Sequence, residues 1–248
     1  MSRWRHSTLA GISVLGLSLL GTGCVSMPET YRAYQRPYRS HPEAAARSRA
    51  IRAPLVIPPD IKIYALSAGG VEELRDDWSA AGRDNVLKAL RERLRGQRVE
   101  LRTPALDKET LDALEEIHAL FRAVSLTIFR YTYSTYAFHT KLENFDYSVG
   151  SIDRILQKYG ADGLILVYGF DQISTDGRRA LQTLGAILPF VSGPSAGTTG
   201  LSVALVDRSG TILWYMIDAS EGRYDLRDPE SASGFVARVL TDFPRLGQ

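Results

Sequence analysis

Cysteine is almost missing from this sequence: among 248 residues there is one, Cys24. A single thiol forms no disulfide framework within the chain and supplies no paired ligands for structural zinc. Histidine is scarce too, with only four residues, His6, His41, His118 and His139. There is no His-Glu-x-x-His, no Gly-x-Gly-x-x-Gly and no phosphate-binding Gly-x-x-x-x-Gly-Lys. Zinc hydrolysis and nucleotide binding therefore lack their usual residues. Charge of one sign is not in surplus either: 30 Lys and Arg stand against 28 Asp and Glu. That balance gives no electrostatic footprint for nucleic acid. Finally, no apolar run reaches the roughly 20 residues that a membrane-spanning helix needs.

What is present begins at the amino terminus. Arg3 and Arg5 precede an uncharged, mostly apolar stretch from Ser7 to Leu20, and the small residues Gly21, Thr22 and Gly23 follow. That order predicts a secretory signal over residues 1–23. The stretch Leu20-Gly21-Thr22-Gly23-Cys24 resembles the lipobox of bacterial lipoproteins, with Gly21 where the family usually has Leu. The resemblance implies a diacylglycerol joined to Cys24, cleavage just before it and acylation of the new amine. Val25 and Ser26 in place of Asp imply the outer membrane, on its periplasmic face. Membrane lipid is thus the first expected partner, and several acyl chains hold a protein far more firmly than one.

Residues 24–54 are rich in Arg, Ala, Pro and Tyr without a sustained apolar period, which predicts a flexible tether. Residues 55–248 then form the expected domain. Ile61–Leu66 alternates as a strand does, and Trp78–Leu94 places Val86, Leu87, Leu90 and Leu94 on one helical face. A short strand is expected at Val99–Arg102. Asp107 is a candidate cap for a long helix carrying Leu114, Ile117, Phe121 and Val124, and Ser151 for a short helix ending at Gly160. The continuous apolar run Gly163–Phe170 predicts a central strand buried on both faces. Leu201–Val206 and Thr211–Ile217, separated by Asp-Arg-Ser-Gly, predict an antiparallel hairpin, and a closing helix follows from Pro229. The expected class is α/β: one mixed sheet of four or five strands, with a carboxy-terminal hairpin, flanked by helices.

Four features are candidates for function. Carboxylate pairs such as Asp146 with Asp162 or Asp171 are the raw material of glycan hydrolysis, though such pairs arise by chance in most chains. Tyr131, Tyr133, Tyr136 and Phe138 could line a small-ligand pocket, although aromatic clusters more often build core. His118, beside Ile117 and among Glu115 and Glu116, has the ordinary place of a helix-surface histidine. The fourth is the segment Arg178–Gly200, apolar for an insert between two core strands. Its helical stripe Ala180, Leu181, Leu184, Ile187 and Leu188 would ordinarily pack on the same protein. The functional alternative is an interaction surface of Leu184, Ile187, Leu188, Phe190 and Val191 facing a membrane or a neighbouring subunit.

The turn Gly160-Ala161-Asp162 feeding the strand Gly163–Val167, followed by Leu201–Asp207 and a second strand bearing Leu213-Trp214, resembles a group of bacterial envelope lipoproteins. These are related to the curli-secretion lipoprotein and to the amino-terminal domain of the translocation protein TolB. The resemblance implies a small mixed sheet flanked by helices and a non-enzymatic accessory role in secretion, polysaccharide export or cell-wall synthesis. It implies an envelope protein partner or a homo-oligomer, and no cofactor, metal or nucleic acid. This chain lacks the two amphipathic membrane-crossing hairpins of the pore-forming members.

Overall fold

The computed structural model describes residues 35–187 and 193–248. Strand β1 (Tyr38–Ser40) and helix α1 (Ala44–Ala50) come first, then β2 (Pro54–Val56), β3 (Asp60–Leu66) and β4 (Glu72–Leu74). Helices α2 (Asp76–Leu94) and α3 (Lys108–Ile128) follow, α3 running on into a π-helical turn at Phe129–Tyr133. After the short α4 (His139–Glu143) and α5 (Asp153–Lys158) come β5 (Gly163–Ser174), α6 (Asp176–Ile187), β6 (Thr198–Asp207), β7 (Ile212–Glu221) and α7 (Pro229–Val239).

Among the described residues the strands make one mixed sheet in the order β1-β7-β6-β5-β3-β4, with β2 also beside β5. The α/β class, the central strand and the antiparallel hairpin are as the sequence predicts. Strand β5 alternates between two cores, each filled by helices on its own face. Ile165 and Val167 point with Trp214 into the layer of α2 and α7, where Leu90 and Phe235 close the packing. Leu164 and Leu166 point the other way, toward Phe121 of α3 and Leu156 of α5. A strand buried on both faces has no polar side to show, which explains its unbroken apolar run.

The sheet is larger than expected because β1, β2 and β4 are three-residue strands, too short to carry a period. Strand β1 and helix α1 lie where the sequence predicts tether, and β2 starts at its last residue, so the domain begins before residue 55. Tyr38 pairs with Met216 along β7 and its ring tilts against Trp214 at 6.2 Å. Arg39 is buried and donates to the Thr132 carbonyl, its guanidinium 4.0 Å from the Tyr133 ring centre. Arginine and tyrosine, solvated in a linker, are here structural. The strand expected at Val99–Arg102 reduces to a single bridge between Leu55 and Arg102.

Local chemistry explains most boundaries. Asp107 caps α3 by accepting from the Thr110 N–H at 2.8 Å, and Asp228 caps α7 from Ser231 with Pro229 at the first turn. Ser151 does not cap α5, which starts one residue later than that would require, after Ile152. Gly210 closes the β6–β7 hairpin at φ +81°, where a Cβ would also strike the Gly150 carbonyl.

Candidate functional site

Helix α6 joins two neighbouring antiparallel strands, leaving the end of β5 and returning to β6. Asp176 in its first turn favours the helix dipole and pairs with Arg179 at 2.5 Å. Two of its polar side chains, Arg178 and Gln182, face the protein, while Asp176, Arg179 and Thr183 are exposed. Arg178, only 7 % exposed, donates through Nε and Nη2 to the Ser195 carbonyl at 3.1 and 2.9 Å and through Nη1 to the Ser67 carbonyl at 3.2 Å. Gln182, one turn on, donates to the same Ser195 carbonyl at 2.9 Å and to Ser174 Oγ at 3.3 Å. The returning loop packs tightly here: a Cβ on Gly197 would meet the Gln172 carbonyl.

With the inward face taken by Arg178 and Gln182, the apolar residues point outward. Leu181 is 43 % exposed, Leu184 51 % and Ile187 69 %. The expectation that this stripe packs on its own protein is corrected: on the described helix only Arg178 is buried. Leu184 and Ile187 of the expected interaction surface are therefore accessible, while Leu188, Phe190 and Val191 lie outside the described residues, as does Cys24. The β3–β4 turn stands beside the helix, since Ser67 accepts from Arg178 and Ala68 lies 3.9 Å from where a Gly177 Cβ would be. Val71 and Leu74 on that hairpin are also exposed. Sequence reasoning offered no way to see them as part of the same end of the sheet.

The other candidates do not assemble into a site. Asp162 and Asp171 occupy positions separated by most of β5, about 30 Å of strand at ~3.3 Å per residue. Asp162 accepts from the Arg52 and Ala53 N–H groups, and Asp146 pairs with Lys141 at 2.6 Å, which holds its carboxyl below the usual range. Of the aromatic set, Tyr133 lines a cleft of about 530 Å³ with Arg36, Arg39 and Arg238. Tyr131 instead stacks on Phe138 at 5.0 Å, and Tyr136 and Phe138 are exposed. His118 is half-buried rather than superficial. Burial lowers its imidazole pKa, while Asp60 and a bond to the Pro58 carbonyl act against that. His139 is exposed.

Asp171 is the buried polar group that pattern reading undervalued. It shares its side of β5 with Val167 and Ile173, which was the available signal. Its Oδ2 accepts from the Leu226 N–H at 2.8 Å, and its Oδ1 lies 2.8 Å from Thr199 Oγ1, itself 2.9 Å from the Tyr224 carbonyl. The threonine has one hydroxyl proton for two acceptors. That proton is shared between Asp171 Oδ1 and the Tyr224 carbonyl, both of which accept from Thr199 Oγ1. Burial pushes this carboxyl up to about 6, against the opposing bonds from Leu226 and Thr199. These contacts bind β5 and β6 to the segment that leads into α7.

Among the described residues, no group of His, Cys, Asp and Glu is placed to hold a metal ion, and no helix is long and apolar enough to cross a membrane. No family model, no curated protein and no solved structure matches this chain.

Proposed function

We propose that this protein is a lipid-anchored, non-enzymatic accessory protein of the bacterial envelope. Cys24 holds it to the periplasmic face of the outer membrane, and it works by contact through the apolar face of α6. The observation that carries this reading is the outward stripe Leu181, Leu184 and Ile187 on a helix attached through Arg178 and Gln182. A helix that turns Arg178 onto its own protein and its leucines to the outside is organised for something beyond the monomer. The resemblance to the curli-secretion and TolB group points toward the same kind of role.

The test is site-specific photo-crosslinking in growing cells. A photoreactive residue at Leu184 is expected to give defined adducts, and one at the exposed Lys88 of α2 is not. Equal behaviour at both positions would remove α6 as the contact surface. Separately, Cys24→Ser is expected to move the protein from the membrane to the soluble fraction, and a variant that stays bound would place the anchor elsewhere.

A further inference from the structure

We infer that the α6 face lies on the lipid bilayer to which the chain is tethered, as an in-plane apolar contact. The inference rests on the reading that α6 is the contact surface, and it names what that surface meets.

The direction of the chain supplies the first argument. Strand β1 runs antiparallel to β7, with Ser40 opposite Trp214 and Tyr38 opposite Met216. Strand β7 continues from Met216 to Glu221, which pairs with Thr198 at the start of β6. Residues before Tyr38 therefore approach from the end of the sheet that carries α6. Consistent with that direction, Arg36 and Pro37 line one cleft with Ile217 and Asp218. From Cys24 to Tyr38 the chain can span at most about 50 Å at ~3.5 Å per residue. From Met216 to Glu221 the strand covers about 17 Å. A bilayer holding Cys24 is thus within reach of the α6 end, on the side from which the chain arrives.

Charge supplies the second. No ionisable residue occurs from Ala180 to Val206. The opposite end of the sheet is crowded with charge: Arg47 pairs with Asp207, Asp162 accepts from Arg52 N–H, and Arg208 reaches the Ala161 carbonyl. At the α6 end Glu72, Glu73, Asp176 and Glu221 are exposed as well as Arg179 and Arg223, so there is no cationic surplus to attract anionic headgroups. The contact is apolar and insensitive to salt.

Size supplies the third. A stable second copy or partner usually covers about 800 Å² on each side, with 20 to 30 residues. Three exposed side chains on α6, with Val71 and Leu74 nearby, are few for that. They suffice for a bilayer, because an anchor makes the second contact intramolecular and raises its effective concentration. An amphipathic helix settles into the interface in this way by its apolar face, its backbone bonds already satisfied.

The experiment uses the processed protein extracted from its own membranes and reconstituted in phosphatidylcholine vesicles. Leu184→Cys, Ile187→Cys and, as a control, Lys88→Cys are each labelled with an environment-sensitive fluorophore; acylated Cys24 does not react. Labels at 184 and 187 are expected to brighten several-fold in vesicles, to be quenched by spin-labelled lipid, and to keep that response in high salt. The label at 88 is expected to stay as in water. If 184 and 187 match 88 while Leu184 still forms protein adducts in cells, the bilayer inference falls and the contact reading stands. If neither lipid nor protein meets α6, both fall. Shielding that depends on protein concentration and not on lipid identifies a second copy and overturns the inference. A label found on Cys24 overturns the anchor itself.

Discussion

Helix α6 spans twelve residues and α7 eleven, both carry apolar residues at three- and four-residue steps, and both are attached to the same sheet. Their use is opposite. Helix α7 buries Ala232, Phe235, Val236 and Val239, whereas α6 buries Arg178 alone among its described residues. Each is also tied by a buried charged type: Asp171 grips the segment leading into α7, and Arg178 grips the loops around α6. An amphipathic pattern prescribes two faces, but the polar anchor decides which one turns inward. Where the anchor is the helix's own side chain, the apolar face is left over.

The comparison breaks first where a core residue is removed. Phe235→Ala in α7 is expected to lose about 3–5 kcal/mol of folding stability, as large aromatic truncations in cores do. Chemical denaturation measures it, and a loss below 1 kcal/mol would mean that α7 is not held by burial. Next is Asp171. Its folded value of about 6 lies above the 3.8 of an ordinary aspartate, so folding favours its protonated form. Stability is full below about pH 4 and is lost as pH rises through about 6, by about 3 kcal/mol for a rise of that size. Asp171→Asn keeps a donor toward Thr199 and an acceptor for Leu226, so denaturation at pH 4 and pH 7.5 should show this loss in the parent and not in the variant. A stability difference between parent and variant that is the same at both pH values would refute the raised Asp171 carboxyl.

Smaller effects sharpen the contrast. Arg178→Met removes charge-assisted bonds to two carbonyls and is expected to cost about 2 kcal/mol. Amide exchange should quicken in α6 and leave α7 unchanged; uniform quickening would show that α6 is part of the global core. Smallest is Leu184→Ala, expected to shift stability by no more than about 0.5 kcal/mol because the side chain stands in solvent. A loss of 2 kcal/mol would mean that the leucine packs on its own protein after all.

The elements that could be found from the sequence were those with enough residues to show a period. Strand β5 announced itself because both faces are buried, and α3 because Leu114, Ile117 and Phe121 recur with a capping aspartate before them. What stayed hidden was short or inverted. Strands β1 and β2 each contribute three residues whose partners lie far along the chain, and Arg39 or Tyr38 in isolation look like solvated linker. His118 looked superficial because its burial comes from the β2–β3 segment at Pro58, which no helical wheel includes.

The sequence by itself determined the class of fold, the hairpin and the positions of the helices other than α1 and α4, because backbone periodicity and capping are local. It also determined that Cys24 is the one residue of its kind and that the zinc-hydrolase and nucleotide-binding signatures are missing. Tertiary structure alone decided that Asp146, Asp162 and Asp171 are not convergent, that the chain joins the sheet before residue 55, and that the stripe on α6 faces out. Those are matters of which surface meets which. Two amphipathic helices can fill opposite roles, because orientation is set by contacts between residues far apart in the chain.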